Sequence, residues 1–178
     1  MHKDIKYELM SKEEIAAAVS RLAAQINKDF ANEPVLALVI LKGSMFFAAD
    51  LIRELTMPVT LDFMKVSSYG SSSSSSGKVQ LQLDTMLDLT GQNVLIIEDI
   101  IDSGNTLYKL KTLLCERNAK CVKLCTLLDK PDRRETPITA YYTGKLIPNE
   151  FVVGYGLDFA ERYRNLPYIG VLDEKVYS

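Results

Sequence analysis

An acidic pair followed by a short run of small polar residues is the pattern in this chain with the clearest chemical meaning. Glu98 and Asp99 follow the apolar run 94–97, and Asp102 comes three residues after Asp99. Vicinal carboxylates are good acceptors for the hydroxyls of a diol and good ligands for Mg²⁺. The turn that follows consists of Ser103, Gly104, Asn105 and Thr106. Backbone N–H groups and hydroxyls in such a turn bind anions, so the pattern predicts a ribose 5-phosphate with its hydroxyls on the acids and its phosphate in the turn.

The elements around this pattern would place it at one edge of a sheet. Residues 93–97 are typical of a buried strand, because the apolar run is too short for a buried helix. Glu98 and Asp99 are therefore expected to leave the strand at its carboxyl end, where open α/β sheets bind their ligands. A helix predicted from about Leu107 would direct its positive N-terminal end at the phosphate. The alternative interpretation is an ordinary strand, turn and helix with an acidic, solvated loop and no ligand.

The segment from Glu98 to Thr106 resembles the phosphoribosyl pyrophosphate (PRPP) motif of type I phosphoribosyltransferases. Its form, Glu-Asp-Ile-Ile-Asp-Ser-Gly-x-Thr, is similar to the hypoxanthine-guanine branch of that family. The resemblance extends over about residues 35–173 through four separated motifs in the same order. It implies that the two acids bind the ribose and the metal and that residues 103–106 bind the 5-phosphate. Asp102 is then the best candidate for the catalytic acid-base group, although it could also stabilise the helix dipole.

A second turn, Leu41-Lys42-Gly43-Ser44, separates a predicted strand from a predicted helix. As a bare tetrapeptide it is explained equally well as an ordinary strand-to-helix connection. The resemblance implies a cis peptide bond between its first two residues. It also implies that Lys42 and Gly43 bind pyrophosphate through this turn.

The resemblance assigns the purine base to residues later in the chain. Lys130 matches the lysine that hydrogen-bonds the purine 6-oxygen, Phe151 the ring that stacks on the base, and Val152 the residue whose backbone meets the Watson–Crick edge. A lysine only donates hydrogen bonds, so it favours 6-oxopurines over adenine. Without the resemblance, Phe151 would be assigned to core packing.

Two charged residues complete the predicted site. Asp158 resembles the Mg²⁺-binding aspartate of the family and lies where the 2-position of the purine is recognised. Arg164 resembles the arginine that binds pyrophosphate; Arg162 is an alternative, but the spacing after Asp158 favours Arg164. The implied metal ligands are thus Glu98, Asp99 and Asp158.

A serine-rich segment occupies residues 67–77 and includes six consecutive serines at 71–76. Its composition alone indicates a flexible linker. The resemblance implies a long mobile loop, here about residues 68–78, that begins with Ser68 and Tyr69 and closes over the substrates as a lid. Such a lid would keep water from a ribosyl cation. The unbroken serine run departs from the mixed composition of the family's loop.

Composition limits the classes of partner. The chain has 21 basic and 23 acidic residues in 178, which gives no reason to expect nucleic acid or an anionic membrane as a partner. No long uncharged run and no apolar leader is present at the start, so a cytoplasmic protein is expected. The three cysteines (Cys115, Cys121 and Cys125) are expected to be buried free thiols. His2 is the only histidine, which excludes mechanisms that depend on a histidine base.

Strands and helices alternate along the chain. A capping box, Ser11 with Glu14, begins the first predicted helix. The predicted helices cover residues 12–30, 45–55 and 107–117, and the predicted strands cover residues 35–41, 59–66, 79–83, 93–97 and 120–128. The alternation predicts a single α/β domain over residues 1–178, with a parallel twisted sheet flanked by helices. The part after residue 136 is expected to form a small hood lobe over the carboxyl edge of the sheet.

These residues together imply a Mg²⁺-dependent purine salvage enzyme. It would transfer the phosphoribosyl group of PRPP to a 6-oxopurine base and release a nucleotide and pyrophosphate. A PRPP-sensing regulator would retain the acids and the phosphate turn but could lose the base pocket, and an orotate or uracil transferase would need a different base pocket. A preference for xanthine stays open. The resemblance also implies a homodimer or homotetramer.

Overall fold

A six-stranded sheet forms the centre of the protein. The computed structural model describes residues 1–67 and 80–177. In spatial order, the strands are β4 (Gln80–Leu83), β3 (Val59–Ser67), β2 (Val35–Ile40), β5 (Asn93–Ile101), β6 (Cys121–Asp129) and β7 (Tyr142–Leu146). The five strands from β3 to β7 are parallel, and β4 pairs antiparallel with β3 at the edge. The predicted α/β sheet is therefore confirmed.

Three helices cover the two faces of this sheet. They are α1 (Lys12–Phe30), α2 (Met45–Arg53) and α3 (Asn105–Glu116). The predicted capping box is present, because Ser11 accepts a hydrogen bond from the N–H of Glu14 and the Glu14 carboxylate accepts one from Ser11. Helices α1 and α2 pack on one face of β2 and β5, and α3 packs on the other. Each face of the central strands thus has its own apolar core.

The strand that carries the acidic pair is longer than predicted. We expected it to end at Ile97, but β5 continues to Ile101 and contains Glu98 and Asp99. Its pairing with β2 ends at Ile97, whereas its pairing with β6 continues to the end of the strand. The acids therefore lie in a segment that is bonded on one side only. Polar residues after an apolar run are typical of a strand end, which is why the strand was predicted to stop there. The sequence does not reveal how far the neighbouring strand β6 extends, so the continued pairing could not be foreseen.

The hood is a three-stranded antiparallel sheet, and its composition corrects two predictions. It consists of β1 (Ile5–Met10), β9 (Ile169–Leu172) and β8 (Val152–Val153), in this order. The N-terminal strand was not predicted, although its residues 5–9 alternate between apolar and polar, as a half-buried strand does. In addition, β7 belongs to the main sheet, so the hood does not take up everything after residue 136. Every other predicted element begins and ends within two residues of its predicted bounds.

The cysteines differ in exposure. Cys125 is buried, which raises the pKa of its thiol, and Cys121 is partly buried. Cys115 is exposed on the outer side of α3, so the prediction that all three are buried is wrong for this residue. The buried positions of α3 are Leu107, Leu110 and Leu114. In the part of the chain that the structure describes, no helix has the length and apolar character needed to cross a membrane.

Candidate active site

A cavity of about 560 Å³ lies beside the last residues of β2 and β5. It is lined by predicted site residues from four separate parts of the chain. These residues are Lys42, Gly43, Glu98, Asp99, Asp102, Ser103, Gly104, Thr106, Asp158 and Arg164. Asn105 is an exception: its side-chain amide donates to the carboxylate of Glu135 at 2.5 Å. The fold thus brings the predicted motifs to one place.

Glu98 and Asp99 both line this cavity. Burial and the neighbouring Asp99 carboxylate raise the pKa of Glu98 well above its ordinary value. Burial also raises the pKa of Asp99, although hydrogen bonds and the positive charge of Arg164 act in the opposite direction. The free energy of two adjacent, partly buried carboxylates is lowered by hydroxyl donors or by a cation. Glu98 and Asp99 can therefore accept hydrogen bonds from the hydroxyls of a ligand and can also bind a cation.

The turn before α3 lines the cavity through Ser103, Gly104 and Thr106. Gly104 has a φ of +80°, and a Cβ there would overlap the side chains of Ile138 and Thr136. A glycine is therefore needed at this point. The N-cap residue, Gly104, has no side chain to cap α3, Oγ of Ser103 accepts a hydrogen bond from the N–H of Asn105 at 3.4 Å, and the first turn of the helix lines the cavity. This geometry suits a phosphate group.

The turn at Lys42 and Gly43 lies directly against the acids. The peptide bond between Leu41 and Lys42 is cis, as the resemblance implies. A Cβ on Gly43 would lie 2.8 Å from Cγ of Asp99 and would overlap its carboxylate. On the other side, a Cβ on Gly156 would overlap the carbonyl oxygen of Gly43, and Gly156 has a φ of +103°. The turn is thus enclosed between the sheet and the hood, with no room for side chains at either glycine.

The structure distinguishes the two candidate arginines. Arg164 lines the cavity, and its guanidinium is 2.8 Å from Oδ1 of Asp158 and donates to the carbonyl of Gly156 at 2.7 Å. Arg162 is exposed and lies over the rings of Phe159 and Tyr163. Of the two arginines, Arg164 is therefore the one that can reach an anion in the cavity.

Glu161 is a site residue that the sequence analysis missed. Its carboxylate lies 3.0 Å from Nζ of Lys42 and 3.2 Å from Nη2 of Arg164. Hydrogen bonds from these two cations lower its pKa. An acid three residues before Arg164 was the only signal in the sequence. The carboxylate shows that the two cations converge closely enough to bind one anion.

The three carboxylates predicted to bind a metal are not assembled into one group. Within residues 1–67 and 80–177, no three acidic, histidine or cysteine side chains lie close enough together to hold a metal ion. Asp158 is instead paired with Arg164, and it also accepts a hydrogen bond from the N–H of Glu161 at 2.9 Å. Glu98 and Asp99 form a two-carboxylate set. Such a set matches Mg²⁺, which commonly binds through one or two carboxylates together with substrate phosphates and water.

Asp102 has a partner that the sequence analysis also missed. Nε of Arg133 donates to Oδ1 of Asp102 at 3.1 Å, and both side chains are about half exposed. The neighbouring Arg134 donates to the backbone carbonyl of Asp102 and pairs with Asp129. Lys130 is buried, and burial lowers the pKa of its ammonium group, while the nearby Asp102 carboxylate opposes this shift. Asp102 and Lys130 are thus electrostatic neighbours.

Of the residues predicted to contact the base, Asp158 lines the cavity, whereas Lys130, Phe151 and Val152 are not among its lining residues. Phe151 precedes β8 and is 40 % exposed. Its carbonyl accepts a hydrogen bond from the N–H of Leu172. Because bonded and non-bonded residues alternate along an antiparallel pair, the backbone groups of Val152 point to the open edge of the hood sheet. Ser68 and Tyr69, predicted to begin the lid, lie outside the described residues.

The fold and the cavity define the class of this protein. The sequence pattern of the phosphoribosyl transferase domain matches residues 8–160, and this match agrees with a type I phosphoribosyltransferase fold. A hypoxanthine-guanine phosphoribosyltransferase of Streptococcus pneumoniae is 50 % identical over 178 residues, which are 100 % of this chain and 99 % of the relative.

Solved structures that are similar to this chain belong to the same family. A hypoxanthine phosphoribosyltransferase of Staphylococcus aureus has a TM-score of 0.95 at 47 % identity, with 100 % of this chain and 97 % of that one covered. A hypoxanthine-guanine phosphoribosyltransferase of Bacillus anthracis has a TM-score of 0.88 at 49 % identity, with coverages of 94 % and 98 %. The chain belongs to the hypoxanthine-guanine phosphoribosyltransferase family.

Proposed function

We propose that this protein transfers the 5-phosphoribosyl group of PRPP to N9 of hypoxanthine or guanine. The products are the purine nucleotide and pyrophosphate, and the reaction serves purine salvage. The observation that carries this proposal is the meeting of the acidic pair, the 103–106 turn, the Lys42 turn and Arg164 around one cavity. Relatives named for this activity match the whole chain at about half identity, which supports it.

The cavity suggests how PRPP is bound. Glu98 and Asp99 accept hydrogen bonds from the ribose hydroxyls, and the turn before α3 receives the 5-phosphate. Lys42, Gly43 and Arg164 receive the pyrophosphate, in the place where Glu161 now meets both cations. As the bond to the anomeric carbon breaks, these groups stabilise the negative charge that develops on the leaving group.

Mg²⁺ is the cofactor that fits this donor set. Glu98 and Asp99 would hold it together with PRPP, whereas Asp158, the third ligand that the resemblance implies, is paired with Arg164. When bound, the ion neutralises charge on the pyrophosphate. The ion would also favour the ionised form of Glu98 and Asp99, whose pKa values burial raises.

Three residues support recognition of a 6-oxopurine. Lys130 donates to the 6-oxygen, Phe151 stacks on the ring, and the free backbone groups of Val152 meet the Watson–Crick edge. Asp102 accepts the proton of N7 while N9 attacks. Closure of a lid that begins at Ser68 and Tyr69 would exclude water during this step and stays a prediction.

A parallel assay tests the function. PRPP and Mg²⁺ are supplied with hypoxanthine, guanine, xanthine or adenine, and nucleotide and pyrophosphate are measured together. We expect product with hypoxanthine or guanine and none with adenine. PRPP binding without transfer to any base would indicate a regulatory protein and would end the proposal. A dominant product from xanthine would change only the assigned substrate.

Replacement of Lys130 by alanine tests the base assignment. We expect the KM for hypoxanthine to rise about tenfold, because a hydrogen bond from a charged donor is lost. The KM for PRPP should stay within about twofold of the original. Lys120→Ala, at the opposite end of β6, is the matched control and should leave both constants unchanged. A rise confined to the KM for PRPP would instead assign Lys130 to the binding of PRPP.

We infer that the protein forms a homodimer through the outer part of its sheet. Leu61 and Phe63 pair with Ala37 and Val39, so they lie on the same face of the sheet as α2. That helix packs on β2 and β5 and leaves both side chains exposed, at 48 % and 37 %. Exposed apolar side chains on α2 (Met45 and Phe46) and on β4 (Leu83) have similar exposures. Such a surface is typical of a protein–protein interface.

Sedimentation velocity of variants tests whether this surface joins two subunits. Phe63→Asp should convert the dimer to monomer, because it places an unpaired charge in an apolar contact. Tyr141→Asp changes an exposed aromatic residue near the other edge of the sheet and should leave the mass unchanged. A dimer or tetramer that persists in the Phe63 variant would mean that another surface joins the subunits.

A further inference from the structure

Three aromatic rings that do not line the cavity, those of Phe151, Phe159 and Tyr177, meet one another. The ring centroids of Phe151 and Tyr177 are 5.2 Å apart with an angle of 31° between the ring planes. Phe159 meets Phe151 edge-on at 5.6 Å and 88°. The centroids of Phe159 and Tyr177 are 6.2 Å apart. The ring that we assign to base stacking therefore has two aromatic neighbours, Phe159 and Tyr177.

Hydrogen bonds of the preceding turn hold Tyr177 in this position. A single 3₁₀ turn, Glu174–Val176, precedes it, and the N–H of Tyr177 donates to the carbonyl of Glu174 at 3.1 Å. Asp173 caps this turn by accepting a hydrogen bond from the N–H of Lys175. The N–H of Asp173 donates to the carbonyl of Asp4 at 2.9 Å, which ties the turn to the N-terminal part of the hood.

Phe151 keeps an open surface despite these neighbours. It remains 40 % exposed, so its two aromatic contacts cover only part of the ring. Its backbone is held by the hydrogen bond to Leu172, but that bond does not set the orientation of the side chain. Near-parallel and edge-on contacts between aromatic rings do set an orientation, because both geometries have a preferred distance and angle.

We propose that Tyr177 is a positioning residue for the purine base. Its ring packs on Phe151 and holds that side chain in the orientation that stacks on the base, with Phe159 supporting both rings. The inference rests on the proposed function and adds to it a residue that acts through Phe151. Without Tyr177, the Phe151 side chain would have to be ordered when the base binds, and this ordering weakens binding.

Steady-state kinetics of Tyr177→Ala test the inference. The KM for hypoxanthine should rise about two- to tenfold, the range that one aromatic pair contributes. The KM for PRPP and the kcat at saturating base should change by less than about twofold. Tyr177→Phe is the matched control, because it keeps the ring and removes only the hydroxyl; it should behave as the original protein. Tyr177→Leu retains apolar bulk at this position and should still raise the KM for hypoxanthine.

Several results would overturn the inference. An unchanged or lower KM for hypoxanthine in the alanine variant would mean that the ring does not assist stacking, or that it covers the base site. An equal rise in both KM values with a lower melting temperature in the alanine and leucine variants would indicate a purely structural role. Failure of the original protein to use any 6-oxopurine would instead refute the proposed function, so the two failures are distinguishable.

Discussion

Replacement of Asp102 by asparagine is expected to slow turnover by about a hundredfold or more, the usual effect of removing an acid-base group. The amide cannot accept the N7 proton as a carboxylate does. PRPP binding should remain nearly intact, because the ribose and phosphate are assigned to Glu98, Asp99 and the 103–106 turn. Single-turnover kinetics together with equilibrium binding of PRPP measure both quantities.

A matched variant separates proton transfer from the structural role of Asp102. The carboxylate forms an ion pair with Arg133, which Asp102→Asn also removes. Arg133→Ala removes the same ion pair and keeps the carboxylate. Because a half-exposed ion pair contributes at most about 1 kcal/mol, this variant should retain turnover within a few-fold. Equal losses in both variants, or full turnover in the asparagine variant, would contradict the assignment of Asp102 as the base.

Replacement of Gly43 by alanine is expected to lower kcat/KM for PRPP by about a hundredfold. The added Cβ overlaps the carboxylate of Asp99, so one of the two must move. A shift of about 1 Å in a group that positions a substrate is enough for a loss of this size. The variant should bind PRPP weakly and show a normal far-ultraviolet circular dichroism spectrum, since the collision lies at the cavity and not in the apolar core.

Gly91→Ala is the control for the glycine substitution. Gly91 has a φ of +73°, and a Cβ there meets no atom within 4 Å. This variant should lose about 1 kcal/mol of stability from backbone strain and keep full activity. Thermal unfolding and PRPP kinetics of the two variants are compared directly. If Gly43→Ala retains its kcat/KM, the close contact with Asp99 has no part in PRPP binding.

Much of the candidate site could be predicted because it is built from contiguous residues. The strand, turn and helix from Glu98 to Thr106 are a local unit whose apolar run and small residues are visible in the sequence. The spacing after Asp158 also favoured Arg164, and the cavity contains that arginine. Local patterns predict such features because neighbouring residues constrain each other's backbone directly.

The extent of β5 and the content of the hood could not be predicted in the same way. Glu98 and Asp99 indicated the end of a strand, yet pairing with β6 carries β5 on to Ile101. The N-terminal β1 pairs with β9 across more than 150 residues. Both outcomes depend on the presence of a partner strand, and the hydrogen bonds that it offers outweigh the local preference of polar residues to end a strand.

The sequence by itself determined the family, the acidic pair, the 103–106 turn and the order of the elements that position them. Only the tertiary structure decided which charges face one another. Glu161 meets Lys42 across 119 residues, and Arg133 meets Asp102 across 31. These contacts arise between loops from different elements, whose approach is set by the packing of the sheet, its helices and the hood. Since charge interactions depend on distance, their effect on the cavity exists only once that packing has formed.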